Sequence, residues 1–75
     1  MFETVNSTPT RLGRVRAGDI IINTGNVPVY LADDPVTVAN APNAGSIVYA
    51  GGQLVWDHDS FPLWGIDPSG NHPTI

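Results

Sequence analysis

The sequence predicts an all-β fold, a small antiparallel β-sandwich or partly open barrel, and three observations predict it. Seven prolines and eight glycines are spread along 75 residues, so no uninterrupted helical period of about ten residues survives. Between them lie short runs rich in β-branched residues, which favour a pleated, half-buried surface. These runs recur at roughly ten-residue spacing with turn residues between them, the pattern of a sandwich or barrel.

Residues 1–16 come first and read as an extended N-terminal arm, with a strand possible near residues 11–15. They hold Pro9, few apolar residues and all three arginines of the chain. Residues 17–75 read as the β-sandwich domain. Asp19-Ile20-Ile21-Ile22-Asn23 is its first strand, between the turns Ala17-Gly18 and Asn23-Thr24-Gly25-Asn26. Val27-Pro28-Val29-Tyr30-Leu31 alternates, placing Val27, Val29 and Leu31 on one face and Tyr30 on the other. Pro28 has no N–H for a ladder, which assigns this strand to an edge or an irregular start. After the turn Asp33-Asp34-Pro35, Val36-Thr37-Val38-Ala39 reads as a strand, and residues 40–45 as a loop. Residues 46–50 and 53–56 then form a hairpin across Gly51-Gly52, since glycine takes positive φ freely. Residues 61–66 make another strand, and Asp67-Pro68-Ser69-Gly70 turns the chain towards residues 71–75. The expected core is Val27, Val29, Leu31, Ile47, Leu54, Leu63 and Ile66.

A chain of 75 residues has room for one domain. Such a domain buries only about 60% of its unfolded surface and gains from outside support. Cysteine is absent, which excludes disulfides and thiolate metal sites and leaves a His/carboxylate metal or a protein partner. Partner protein is the preferred reading, with no cofactor. The formal charge of −4 and the lack of lysine argue against nucleic acid. No run approaches the roughly 18 apolar residues of a membrane helix. The first ten residues lack a charged region followed by an apolar one, so no signal peptide is expected. Arg11, Arg14 and Arg16 fall within six residues, whereas six aspartates and no Lys or Arg follow Ala17. A basic segment facing an acidic body suggests an arm that lies on its own body, on a neighbouring copy or on another negative surface, where arginine forks pair well with carboxylates. Phe2 or Val5 would be its apolar anchor.

The stretch V-W-D-H-D-S-F-P-L-W (55–64) holds the most suggestive chemistry. Imidazole and carboxylates are ligands for zinc and other divalent ions. Adjacent residues of an extended chain, however, point to opposite faces, so His58 does not readily share one ion with both aspartates. His72 is the only other histidine, and nothing in the sequence fixes its distance. The preferred reading is a polar turn between two strands, without essential function. None of Ser7, Ser46, Ser60 and Ser69 sits in a G-x-S-x-G elbow, and no phosphate-binding glycine loop is present, so no enzyme is expected. Asn6-Ser7-Thr8 matches a glycosylation acceptor only by a short, common pattern. The aromatics Phe2, Tyr30, Tyr49, Trp56, Phe61 and Trp64 suit a core, a protein contact or a sugar platform. Phe61, Leu63 and Trp64 are assigned mainly to core and interface, and a hairpin could bring Trp56 and Trp64 together.

The stretches D-I-I-I-N-T-G-N-V-P-V-Y-L-A (19–32), A-G-G-Q-L-V-W-D (50–57) and F-P-L-W-G-I-D-P-S-G (61–70) resemble a small β-sandwich domain of tailed-bacteriophage virions. In that group an N-T-G turn precedes a V-x-V-Y-L strand, a glycine-rich hairpin introduces a hydrophobic strand, and a P-L-W-G-I-like strand ends in an S-G turn. Such domains are similar to those of capsid decoration (cement) proteins, head fibres and some tail components. The resemblance spans residues 19–70. The sequence departs from the group at residues 72–75, where a T-V-x-V strand is usual. It implies a structural protein without catalytic residues, located in the virion and assembled in the bacterial cytoplasm. Its implied partners are the major capsid protein and neighbouring copies, as a homo-oligomer, a trimer by analogy. Phe2, Val5, Arg11, Arg14, Arg16 and Trp64 are the expected interface residues. A tail or fibre component and a carbohydrate-binding adhesion module are the alternatives within reach, and a small metal-dependent enzyme is the rival from another class.

Overall fold

The structure, a computed structural model, describes residues 3–41, 43 and 45–75. Among them the chain forms β1 (Thr10–Val15), β2 (Ile20–Ile22), β3 (Val29–Ala32), α1 (Pro35–Ala39), β4 (Ser46–Val48), β5 (Gln53–Val55) and β6 (Ser60–Ile66). The strands make two antiparallel sheets, neither closed into a barrel: a four-stranded one ordered β1-β6-β3-β4, and the pair β2-β5. The all-β sandwich expected from the sequence is the architecture found.

The two sheets are parts of one bent ribbon. β1 leads into β2, β5 leads into β6, and the pairing register is the same on both sides of the bend. Val15 faces Ser60 in the larger sheet, and Ile20 faces Val55 in the smaller. At the elbow the Gly18 N–H donates to Trp56 O at 2.7 Å, and the Trp56 N–H to Asp19 O at 2.8 Å. The Ala17 N–H reaches Asp59 Oδ1 at 2.9 Å, so the D-H-D-S segment is the outer half of this elbow. It is a polar turn between two strands, as its composition suggested.

Two bulges of opposite sense let the larger sheet keep that register. Between Arg11↔Trp64 and Gly13↔Leu63, β1 has one residue more than its partner; between Gly13↔Leu63 and Val15↔Ser60, β6 has the extra one. Gly13 takes φ +96°, which suits the first bulge because glycine has no Cβ to clash. Pro62 falls in the second, where a missing N–H costs no ladder bond. The bulges send both Leu12 and Val15 inward, although three residues separate them, and leave Arg11 and Arg14 exposed.

The N-terminal segment is therefore not an arm. Val5 is fully buried, its N–H donates to Pro73 O at 2.9 Å, and Thr4 bridges Thr74. Glu3 and Ile75 exchange two backbone hydrogen bonds. A boundary at residue 16 would cut the continuous ribbon and strip Val5, Leu12 and Val15 from the core. Residues 72–75, where the sequence departs from the phage-like pattern, still supply Thr74 to this bridge and Ile75 to the core.

Between the sheets lie Val5, Leu12, Val15, Ile21, Val29, Leu31, Val48, Trp56, Leu63 and Ile75, with Leu54 packed against them. Val29, Leu31 and Leu63 match the expected core. Ile66 is buried on the opposite face of the larger sheet, with Ala32 and Val38 of α1, against Tyr30, Ala41 and Trp64. Val27 and Ile47 are only half-buried. Trp56 and Trp64 thus lie in different clusters and do not meet.

Two local expectations are corrected. Residues 36–39 belong to α1 and not to a strand, because Asp34 caps the turn: its carboxylate accepts the Thr37 N–H at 2.7 Å and the Thr37 hydroxyl at 2.9 Å. Pro35 follows the cap, where its fixed φ suits a first helical turn. The second correction concerns Gly51-Gly52, which does not close a hairpin. The Gly52 N–H donates to Tyr49 O at 2.9 Å, and Gly51 has φ +70°. This turn carries the chain from β4, paired with β3, to β5 in the other sheet.

Asn23-Thr24-Gly25 holds the turn after β2. Asn23 is fully buried; its amide donates to Val27 O (2.8 Å) and Val48 O (3.1 Å), and its oxygen accepts the Gly25 N–H (2.9 Å). Thr24 gives both its N–H and its hydroxyl to Thr74 O. Gly25 lies so close to Pro73 that a Cβ there would come within 2.2 Å of the proline Cβ. The N-T-G turn is a clasp on residues 72–75.

Candidate functional site: an apolar strand edge and a polar elbow

The smaller sheet turns three branched side chains to solvent. Alternation along β2 buries Ile21 and leaves Ile20 and Ile22 56% and 52% exposed. Val55, directly across from Ile20, is 59% exposed. A run of three isoleucines does not show in sequence which face is covered, so this outward row was not visible there. Beside the edge of β2 that has no strand partner among the described residues runs a groove of about 430 Å³ lined by Arg14, Val15, Asp19, Ile20, Ile21, Ile22, Thr24, Leu63 and Ile75. It opens between β2 and the β1–β6 layer.

The residues expected at an interface are scattered over the fold. Arg11, Arg14 and Arg16 are exposed, and none forms an ion pair among the described residues. Arg14 lies over the Phe61 ring, 5.1 Å from its centroid, and Phe61 is 70% exposed. This is a cation–π contact at the surface. Val5 is core, and Trp64 is half-buried beside Ile66. Phe2 lies outside the described residues.

The elbow carries the chain's most developed polar network. His58 Nδ1 donates to Asp57 Oδ1 at 2.6 Å, and Nε2 to Asp33 at 2.8 and 2.9 Å. Both nitrogens face carboxylates, an arrangement that calls for two N–H donors and therefore the imidazolium. Hydrogen bonding to Asp57, then to Asp33, raises the His58 pKa above its ordinary value. The bond from Ser60, and after it those from His58, hold the Asp33 carboxyl below the usual carboxylate range against its partial desolvation. Asp57 is lowered by its bond to His58. Behind this surface the Trp56 indole N–H donates to Ser60 Oγ at 2.8 Å, and the Ser60 hydroxyl donates to Asp33 Oδ1. The Trp56 and His58 rings lie 4.9 Å apart. Asp33 is 25 residues from His58 in sequence, and no local signal could have paired them.

This network is a staple and not a nucleophile with its base. A triad needs the imidazole between hydroxyl and carboxylate, whereas here the carboxylate stands between hydroxyl and imidazole. Ser60 is 3% exposed, and its oxygen already serves as both acceptor and donor. Among the described residues no group of three His, Asp or Glu side chains is placed to hold a metal ion. A second polar centre, Asp67, is buried at the 67–70 turn. Burial pushes its pKa up, but the Ser69 hydroxyl and N–H and the N–H groups of Asn71 and His72 outweigh that and hold it low. Its bonds fix the turn. Buried Trp56 presents no platform for a sugar.

No protein-family model, curated protein or solved structure matches this chain.

Proposed function

We propose that this chain is a structural protein of a tailed-phage virion, a capsid decoration protein that binds the major capsid protein and neighbouring copies and so reinforces the shell. The observation that carries the reading is the apolar row Ile20, Ile22 and Val55, set out to solvent on the smaller sheet. Side chains of this kind gain free energy only when something covers them, at about 25 cal/mol per Å² of apolar surface removed from water. The phage-like segments 19–32 and 50–57 include the two strands of this sheet, so resemblance and exposed row coincide. The half-buried Trp64 and the arginines of β1 would then act as rim contacts from the body of the domain, in place of a reaching arm.

Co-sedimentation of the purified protein with shells of the major capsid protein tests this. Saturable binding in a fixed ratio to capsid subunits is expected, lost when Ile20 and Val55 are both replaced by lysine. Binding only to tails or fibres would move the protein to that part of the particle. Binding to neither, or equal binding by the double variant, would refute the role.

A further inference from the structure

Among the described residues β2 has a partner on one side only, and apart from its three-residue length it has none of the features that usually keep edges from pairing, neither charge, proline nor bulge. The other edge on that side, β1, is bulged at Gly13 and carries Arg11 and Arg14. β2 is short, regular and made of three isoleucines. Its hydrogen-bonding sense is set by the neighbours of the ladder: Asp19 O accepts from Trp56, and the Asn23 N–H donates to Gly52 O. Antiparallel pairing alternates along a strand, so residues 19, 21 and 23 face β5 while Ile20 and Ile22 point their N–H and C=O groups the other way. Those groups line the open side of the groove.

We infer that this edge pairs antiparallel with the β2 of a second copy, about a two-fold axis at Ile21, joining the two small sheets into one of four strands. The inference rests on the proposed self-associating role and names the surface through which copies meet. The two-fold is favoured by the sequence of the edge, since it sets Ile20 of each protomer opposite Ile22 of the other, an apolar pair at both positions. Asp19 then lies opposite Asn23 of the other copy, which avoids a like-charge pair. The groove also carries one charge of each sign, Arg14 and Asp19. A two-fold copy meets it with the same two charges in reverse, so the contact is complementary although the chain carries a net −4. A three-residue ladder is short. A standard contact of about 800 Å² per partner is roughly a fifth of the 4214 Å² surface, so the groove walls must close on each other as well.

Sedimentation equilibrium from roughly 1 µM to 1 mM reads this out. The wild-type chain is expected to approach twice its 8.0 kDa mass. Ile22→Pro removes an N–H that faces the partner and leaves the β5 ladder intact, Ile20→Lys places a charge on the edge, and Arg14→Asp breaks the charge match. Each should weaken the dimer by at least about tenfold. Circular dichroism selects the variants that keep the wild-type fold, and the two surface changes stand if the proline variant does not. A chain that is monomeric at 1 mM, a trimer in place of the dimer, or folded surface variants that associate like wild type would each overturn the inference. A dimer that fails to bind shells would leave it standing and count only against the virion role; a monomer that binds shells would do the reverse.

Discussion

Asn23 is the side chain on which the turn after β2 depends, and replacing it gives a sharp test of the packing. Asn23→Ala leaves the Val48 carbonyl without its side-chain donor in the buried interior, at about 1–3 kcal/mol. Val27 O and the Gly25 N–H lie in half-buried surroundings that water reaches, so each adds about 1 kcal/mol. The sum, about 3–5 kcal/mol, is a large share of the roughly 4–11 kcal/mol expected for a domain of this length. Urea unfolding followed by tryptophan fluorescence should show a lower midpoint with an unchanged slope. Asn23→Asp is the sharper variant, because a carboxylate oxygen replaces the amide group that faces two carbonyls. Burial beside those oxygens raises its folded pKa, so the variant recovers stability relative to wild type as pH falls and loses it as pH rises through that value. A loss under about 0.5 kcal/mol for the alanine, or an aspartate deficit that stays constant between pH 4 and 7, would refute this account of the turn.

Leu63→Ala should cost about 2–5 kcal/mol by the same urea assay, since Leu63 is buried at the centre of the inter-sheet core. The His58 staple predicts a pH signature. The raised His58 pKa contributes stability below the ordinary value of about 6.5 that is lost as pH rises through the folded value. The lowered Asp33 and Asp57 pKa values contribute stability that is lost only as pH falls through those folded values. Thermal midpoints should therefore decline for wild type above about pH 6.5 and run flatter for His58→Ala. Deleting residues 1–16 should abolish cooperative unfolding, because Val5, Leu12, Val15 and the whole β1 pairing go with them. A truncated chain with sharp thermal unfolding would contradict the ribbon.

The fold class was legible because proline and glycine punctuate short branched runs, and that pattern admits few alternatives to an all-β chain. Alternation in 27–31 correctly placed Val29 and Leu31 inside and Tyr30 on the other face. β1 was harder to read because its bulge breaks the period of two, so Leu12 and Val15 do not alternate on paper although they share the core. The cap of α1 was present as Asp34-Pro35-Val36-Thr37, but Val-Thr-Val weighs as strand when composition is read without the cap. Gly51-Gly52 permits a turn and does not say which sheet receives the chain. At the elbow the turn was legible in D-H-D-S, while its partner Asp33 depends on tertiary folding. The exposed row Ile20, Ile22 and Val55 was concealed for a simpler reason: a three-residue apolar run does not reveal which face is covered.

The shared ladder of β1–β2 with β5–β6 also fixes when the fold can form. Its two halves lie at opposite ends of the sequence, so Thr10 finds Gly65 only after a loop of more than 50 residues closes. Chains dominated by such distant pairings fold in milliseconds to seconds, more slowly than helical domains of equal size. During synthesis β1 and the isoleucines of β2 leave the ribosome first and remain without partners until β5 and β6 follow. Over that interval the edge inferred to join mature copies is also free to join nascent ones. Dilution or chaperone supply during expression should then govern the yield of folded chain more strongly than stability does.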